Sequence, residues 1–292
     1  TWYNINNGLN LKLWNGGIGV DLQKKNERLG EILRGMGRVM VAFSGGVDSS
    51  VVLKRAQEEL GDQVLAVVVD SELFRDSEFA AAVKLAEDLG VEVHQTEIKE
   101  LAVPEIVANN PDSWYHSKKL LYQHLNQLAE ELDYPYVLDG MIMDDEEDFR
   151  PGLKARTEEG IRSVLQEAKF YKTDVRKLAK QLGLPVWNKV ASCSLASRFP
   201  YGTKLNEAIV QQVNEAELYL HRLGFEMVRV RYHENVARIE VAPEKITELI
   251  EKREEVQEKL KELGFDYISV DLQGYRTGSM NEVIESEQLT AI

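Results

Sequence analysis

The stretch Ser44-Gly45-Gly46-Val47-Asp48-Ser49-Ser50 combines paired glycines, one carboxylate and three hydroxyls. Two glycines let a backbone turn sharply and approach a ligand closely. The residues after them read as the start of a helix, where unpaired N–H groups and the positive dipole end attract anions. Ser44, Ser49 and Ser50 add hydroxyl donors, and Asp48 has the chemistry to hold Mg²⁺ against phosphate oxygens. No Gly-Lys-Ser/Thr follows, so this is not a Walker A loop, and the glycines are not spaced G-x-G-x-x-G as in a dinucleotide fingerprint. Glycines alone would equally serve an ordinary strand–turn–helix.

Other chemistry-bearing residues lie further along. Asp70-Ser71 and Asp139-Gly140 each close an apolar run, and the acidic run Asp144, Asp145, Glu146, Glu147, Asp148 follows the second. In isolation that run reads as a solvated loop. Cys193 is the chain's one cysteine, in the polar segment Ala191–Thr203, with Lys189 and Arg198 near in sequence. Nearby cations favour thiolate, the nucleophilic form, although most free cysteines are small buried hydrophobes. Arg229, Arg231 and His233 alternate with Val228, Val230 and Tyr232, which places the three on one strand face. Arg238 and Glu240 share a face of the next strand across a tight Glu234-Asn235 connection. That face is either the wet side of an antiparallel sheet or a place for a phosphate to dock.

These residues need elements to hold them. Val39–Phe43, Val64–Val69, Val91–Thr96 and Tyr136–Leu138 read as strands. The first two are continuous apolar runs, as in a sheet covered on both faces. Helical spacing over Ser49–Leu60, Ser77–Leu89 and Ser113–Leu132 alternates with them, which predicts a doubly wound parallel α/β domain. A short charged helix, Asp21–Arg34, precedes it. Beyond 150 the expectation is helices at Glu158–Phe170 and Asp174–Leu182. A smaller α+β domain then has helices Asn206–Leu223 and Pro243–Leu263 and strands Met227–His233, Val236–Val241 and Tyr267–Asp271. The expected division is 21–203 and 204–292. Residues 1–20 are rich in Asn, Gly and Trp, begin with Thr1, and read as a trimmed or added extension, at even odds with a native arm.

The chain has 292 residues and a formal charge of −14. That charge opposes a large nucleic-acid-binding face. No run approaches the ~20 apolar residues that span a bilayer. A single cysteine excludes an internal disulfide and a multi-cysteine metal or iron–sulfur site within the chain. The expectation is a soluble cytoplasmic protein.

The string Ser44–Ser50 resembles the PP-loop, SGGxDS, of the N-type ATP pyrophosphatases, which bind the β- and γ-phosphates there, cleave ATP between α and β, and adenylate a substrate. Further strings resemble the LarE family: Asp70–Phe74, Pro111–Tyr115, Asp139–Ile142, Asp148–Arg156 (DFRPGLKAR), Trp187–Cys193 (WNKVASC), Ser197–Thr203 (SRFPYGT) and Asp271–Asn281. The likeness runs from about residue 22 to 290. It implies an ATP- and Mg²⁺-dependent sulfurtransferase that helps build the nickel-pincer nucleotide, the lactate racemase cofactor. Pyridinium-3,5-biscarboxylic acid mononucleotide would be adenylated, Cys193 would form a thioester, and cleavage of its Cβ–S bond would leave dehydroalanine. Some relatives lack this cysteine or carry three for a cluster; a single one matches the sacrificial branch. Ser44 to Ser50 with Asp70 and Ser71 match the ATP and pyrophosphate site. Trp114, Lys118, Ser197, Arg198, Glu217, Arg229, Arg231 and Glu248 match the substrate site. Read without the resemblance, Trp114 could be a core aromatic, and Glu217 and Glu248 are ordinary helix-surface carboxylates. The resemblance also implies a homo-oligomer, specifically a hexamer.

Alternatives stay open on residues alone. An ammonia-using synthetase of the NAD or GMP synthetase kind needs no cysteine here. A tRNA thiolase usually relays sulfur through two cysteines and grips RNA. A regulatory protein that only senses ATP would release no pyrophosphate.

Overall fold

Val39–Ala42 (β1) is buried on both faces because helices cover the sheet to either side. The computed structural model describes residues 10–146, 152–190 and 192–276, with side chains from residue 21. Helix α1 (Asn10–Met36) starts upstream of the expected Asp21 and lays Leu22, Leu29, Leu33 and Met36 into the core. After β1 come α2 (Val47–Leu60), β2 (Val64–Asp70), α3 (Asp76–Asp88), β3 (Glu92–Glu97), α4 (Pro104–Val107), α5 (Ser113–Glu131) and β4 (Val137–Leu138). The four strands are parallel in the order β3-β2-β1-β4. The order reverses between β1 and β4, which opens a crevice at their carboxyl ends where ligands bind in such sheets. The loop 44–50 and Asp139-Gly140 lead out of those two strand ends.

The expected helix Glu158–Phe170 is broken in two. Helix α6 (Gly152–Glu158) stops at Gly160, whose φ of +68° favours glycine. The chain then runs beside β4, with Arg162 donating to the Val137 carbonyl and accepting from the Asp139 N–H, before α7 (Val164–Glu167) and α8 (Lys172–Gln181). Alternative hydrogen bonds to a sheet edge therefore outweigh local helix propensity here.

The remaining elements are α9 (Glu207–Arg222), β5 (Val228–His233), β6 (Val236–Val241), α10 (Ile246–Glu251), α11 (Arg253–Glu262) and β7 (Tyr267–Val270). The single helix expected over Pro243–Leu263 is interrupted at Lys252 (φ −90°, ψ 12°). Strands β5 and β6 are antiparallel and β6 pairs β7 in parallel. The core beneath this sheet also takes in Leu73, Ile106, Leu195, Ala196 and Phe199 from earlier in the chain. Within the polar-looking segment 192–203, Ser194–Phe199 is thus an inner layer rather than a free loop, with a short 3₁₀ turn at Leu195–Arg198, while Ser192, Cys193, Pro200 and Gly202 are exposed.

Candidate active site

Gly45 has φ +66°, and a Cβ there would lie 2.9 Å from the Ala82 Cβ, so the turn demands glycine twice over. Gly140 is equally constrained: a Cβ would lie 2.8 Å from the Ser49 amide nitrogen, which keeps the end of β4 against the first turn of α2. That turn has Gly46 at its N-cap and no side-chain cap, leaving the N–H groups of Val47, Asp48 and Ser49 without intrahelical partners. Ser50 differs from expectation: its N–H donates to the Gly46 carbonyl at 3.0 Å and its buried hydroxyl to the same oxygen at 2.7 Å. Ser49 Oγ also donates to Gly46 (3.2 Å) and lies 3.1 Å from the exposed Ser44 hydroxyl. Ser44 is the hydroxyl on the open side, and the buried Val47 offers only backbone.

Asp48 carries the loop's negative charge. Its Oδ2 accepts from Lys172 Nζ at 2.6 Å, while the buried Oδ1 has no hydrogen-bond partner. Burial pushes this carboxyl up, and Asp145 adds to the push, against the pull of Lys172 and Arg176. A carboxylate with one unsatisfied oxygen beside a phosphate-binding turn fits Mg²⁺, which uses one or two carboxylates and fills its other positions with phosphate and water. No cluster of three ligating side chains occurs among the described residues. Asp144 is occupied capping the Lys172 N–H at 2.8 Å. Glu147 and Asp148 lie outside the described residues.

The neighbouring carboxyls are engaged by the protein's own groups. Asp70 accepts from the Ser71 N–H at 2.9 Å. Ser71 Oγ and Ser117 Oγ both donate to Glu100, which burial pushes up. Asp139 accepts from Ser163 (2.6 Å) and Tyr122 (2.9 Å) and is likewise raised by burial. Lys118 rests on the Tyr122 ring over Gly152, within electrostatic reach of Glu100 and Asp139, so it belongs to this edge. Trp114 packs against the second core and hydrogen-bonds Tyr201; it walls a cavity of only about 10 Å³ with Ser194 and Ala196. It is a wall residue in this conformation.

The second cluster centres on Glu217, which is fully buried rather than a surface carboxylate. Its two oxygens take Arg198 Nε (3.0 Å) and Nη2 (3.1 Å), the Val230 N–H (2.8 Å) and Arg75 Nη2. Burial opposes its ionisation, but Arg198, Arg75 and Arg229 together hold it below the usual carboxylate range. Arg198, also fully buried, grips the chain it belongs to: its Nη1 donates to the carbonyls of Cys193 (3.2 Å) and Ser194 (3.1 Å) and to Ser197 Oγ (2.7 Å). Glu217 and Arg198 therefore position the Cys193 segment rather than present themselves to a ligand.

The β5–β6 polar face adjoins as expected, Arg229 opposite Glu240 and Arg231 opposite Arg238; these are buried or half-buried, and only its His233 end is exposed. Both arginines are 7% exposed because Ser194–Phe199 lies over them. Arg231 donates to Glu240 (2.8 Å) and to the Ser197 carbonyl (2.7 Å). Arg229 donates to Val228 and stacks on Tyr275. Burial and the repulsion of Arg198 weaken the hold of Arg229 on its proton, against the pull of Glu217, Tyr275 and Cys193. Cys193 is exposed and lies within electrostatic reach of both Arg198 and Arg229. Glu248 is elsewhere, on α10, paired with Lys245 at 2.6 Å.

A family model described as NAD synthase matches residues 27–113, which carry β1, β2 and β3 of the parallel sheet. A pyridinium-3,5-bisthiocarboxylic acid mononucleotide synthase of Lactiplantibacillus plantarum is 52% identical over 92% of this chain and 98% of that relative. The chain belongs to the same family, LarE. An uncharacterized protein of Synechocystis is 38% identical over 90% of the chain and 99% of that relative. A glutamine-hydrolyzing GMP synthase component of Sulfurisphaera tokodaii is 29% identical over 51% of the chain and 44% of that relative. The likeness to NAD and GMP synthases is thus confined to part of the chain, and the LarE likeness spans it. As a LarE-family member the chain is an ATP-using PP-loop enzyme of the sulfurtransferase class. No described helix is long and apolar enough to cross a membrane.

Several site residues carry no motif. Arg75 and Lys172 give no sign in the sequence because their partners Glu217 and Asp48 lie 142 and 124 residues away. One signal was available: Lys172 is the first residue of α8, where a cation opposes the helix dipole and so calls for an anionic partner.

Proposed function

We propose that this enzyme activates a carboxylate of pyridinium-3,5-biscarboxylic acid mononucleotide with ATP and replaces one of its oxygens with the sulfur of Cys193. The observation that carries the reading is an exposed thiol within electrostatic reach of two buried arginines, in a segment that also reaches the PP-loop. Residues 21–203 supply the ATP site and 204–292 most of the substrate site.

The N–H groups of Val47, Asp48 and Ser49 hold the β- and γ-phosphates, with Ser44 as the outer hydroxyl donor. Mg²⁺, held by Asp48, would supply charge neutralisation on the phosphate oxygens. Arg229 and Arg231 receive the substrate phosphate through charge-assisted hydrogen bonds. The substrate carboxylate attacks the α-phosphorus, releasing pyrophosphate. The Cys193 thiolate then attacks the acyl carbon and AMP leaves, giving a thioester; the buried guanidiniums favour the thiolate. Removal of the Cys193 Cα proton breaks the Cβ–S bond. The electron pair leaves with sulfur as a thiocarboxylate, and dehydroalanine remains at 193.

Intact-protein mass after turnover tests this. The spent chain should be lighter by about 34 Da, whereas thiol oxidation or adduct formation adds mass. Product should plateau at one sulfur per chain, and Cys193→Ser should form AMP but transfer nothing. Repeated turnover with no mass loss overturns the sacrificial step. Full amide synthesis by Cys193→Ser with ammonia would favour a synthetase instead.

A further inference from the structure

The PP-loop contains no lysine or arginine, and its one charged side chain, Asp48, has the same sign as the phosphates it faces. Backbone N–H groups carry only partial charge. A leaving pyrophosphate therefore needs cations from outside the loop, and two lysines already touch it. Lys172 Nζ lies 2.6 Å from Asp48 Oδ2, and Lys189 Nζ donates to the Gly45 carbonyl at 3.1 Å.

Neither lysine is an incidental surface charge. Lys172 opens α8, where helix stability disfavours a cation, and Asp144 fixes its backbone. Lys189 sits on a segment held by Arg176, which donates to the carbonyls of Trp187 (3.0 Å) and Lys189 (3.2 Å). Arg176 itself lies within electrostatic reach of Asp48. An ammonium has three donors; each lysine spends one on the loop.

We propose that Lys172 and Lys189 are the two side-chain cations that receive the pyrophosphate leaving group. The assignment rests on the PP-loop reading above and deepens it. Lys172 bridges Asp48 to the phosphates from the α8 side, and Lys189 closes over them from the segment that leads to Cys193. The developing negative charge on the leaving group is stabilised by both as the bond to the α-phosphorus breaks.

Titration of the full-length chain with sodium pyrophosphate in EDTA, followed by calorimetry, tests the assignment apart from sulfur transfer. Lys172→Met and Lys189→Met should each weaken pyrophosphate binding by about tenfold or more. Lys172→Arg and Lys189→Arg, which keep the charge, should restore most of it; the same pattern should appear in the KM for ATP, with binding of the pyridinium mononucleotide unmoved. Wild-type pyrophosphate affinity in the double Met variant overturns the assignment. Loss shared equally by the Met and Arg variants overturns it too, since that marks a packing role. A wild-type chain that binds no pyrophosphate brings down the PP-loop reading, and with it this one.

Discussion

The two halves of the site handle anions by opposite means. At the PP-loop edge the donors are backbone N–H groups of a helix start, the nearby acids Asp48, Glu100 and Asp139 are pushed up by burial, and the cations stand outside the loop. Around Cys193 the donors are guanidiniums, locked by one ionised Glu217 that three arginines hold down. The first arrangement can grip and release a phosphate without moving a charged side chain through the core. The second is pinned: its guanidiniums are held by Glu217, by Glu240 and by backbone carbonyls of Cys193, Ser194 and Ser197.

If that contrast is right, the largest single effect comes from removing the shared counter-ion. Glu217→Ala removes the buried carboxylate that Arg198, Arg75 and Arg229 share and should cost about 3–5 kcal/mol of stability, read by urea unfolding. A loss below about 1 kcal/mol would mean the cluster is not electrostatically closed. Next is Asp48→Ala, which should slow AMP formation by about 100-fold or more while leaving the melting temperature near wild type. Unchanged AMP formation would remove Asp48 from the ATP chemistry. Arg229→Ala should raise the substrate concentration needed by about tenfold, with the KM for ATP unchanged; equal effects on both ligands would erase the distinction between the two regions.

The smallest effect sharpens the comparison by its sign. Glu100 is raised in the folded protein, so its contribution is complete below the unfolded value of about 4.3 and is lost as pH rises through the folded value. Glu217 is lowered, so its contribution is present above that unfolded value and is lost as pH falls through the folded one. The stability of Glu100→Gln relative to wild type should therefore improve as pH rises above that unfolded value. Glu217→Gln should lose ground as pH rises toward that unfolded value from below, and change little above it. Urea midpoints from acid to neutral pH check both, and parallel trends would contradict the assignment.

The same contrast explains what was legible in the sequence. The PP-loop is local: glycines, helix start and strand lie within a few residues, so the sheet and the string Ser44–Ser50 could be read directly. Within it, the sequence could not show that the Ser50 hydroxyl is spent on the Gly46 carbonyl rather than offered to a phosphate. The arginine cluster is non-local. Arg75 and Glu217 meet across 142 residues, and Arg198 reaches Glu217 across 19. Period-two alternation located Arg229 and Arg231 on one face but could not show that Ser194–Phe199 lies over it. Nor could composition distinguish a polar linker from a buried layer, since the burial of that segment depends on Leu73, Ile106 and the C-terminal sheet.

Segment 187–195 is tied at Gly45, Arg176, Glu78, Arg198 and Leu73, and no hydrogen bond among these ends on the Cys193 sulfur. Under single use, a chain that has given up its sulfur therefore keeps its shape, its ATP edge and its arginines. It is a full competitor for the ligands of its unspent siblings, and nothing in its stability marks it for removal. Output would then follow the rate at which fresh chains are made and old ones cleared, so that the protein behaves as a stoichiometric reagent drawn from a stock rather than as a machine with a speed.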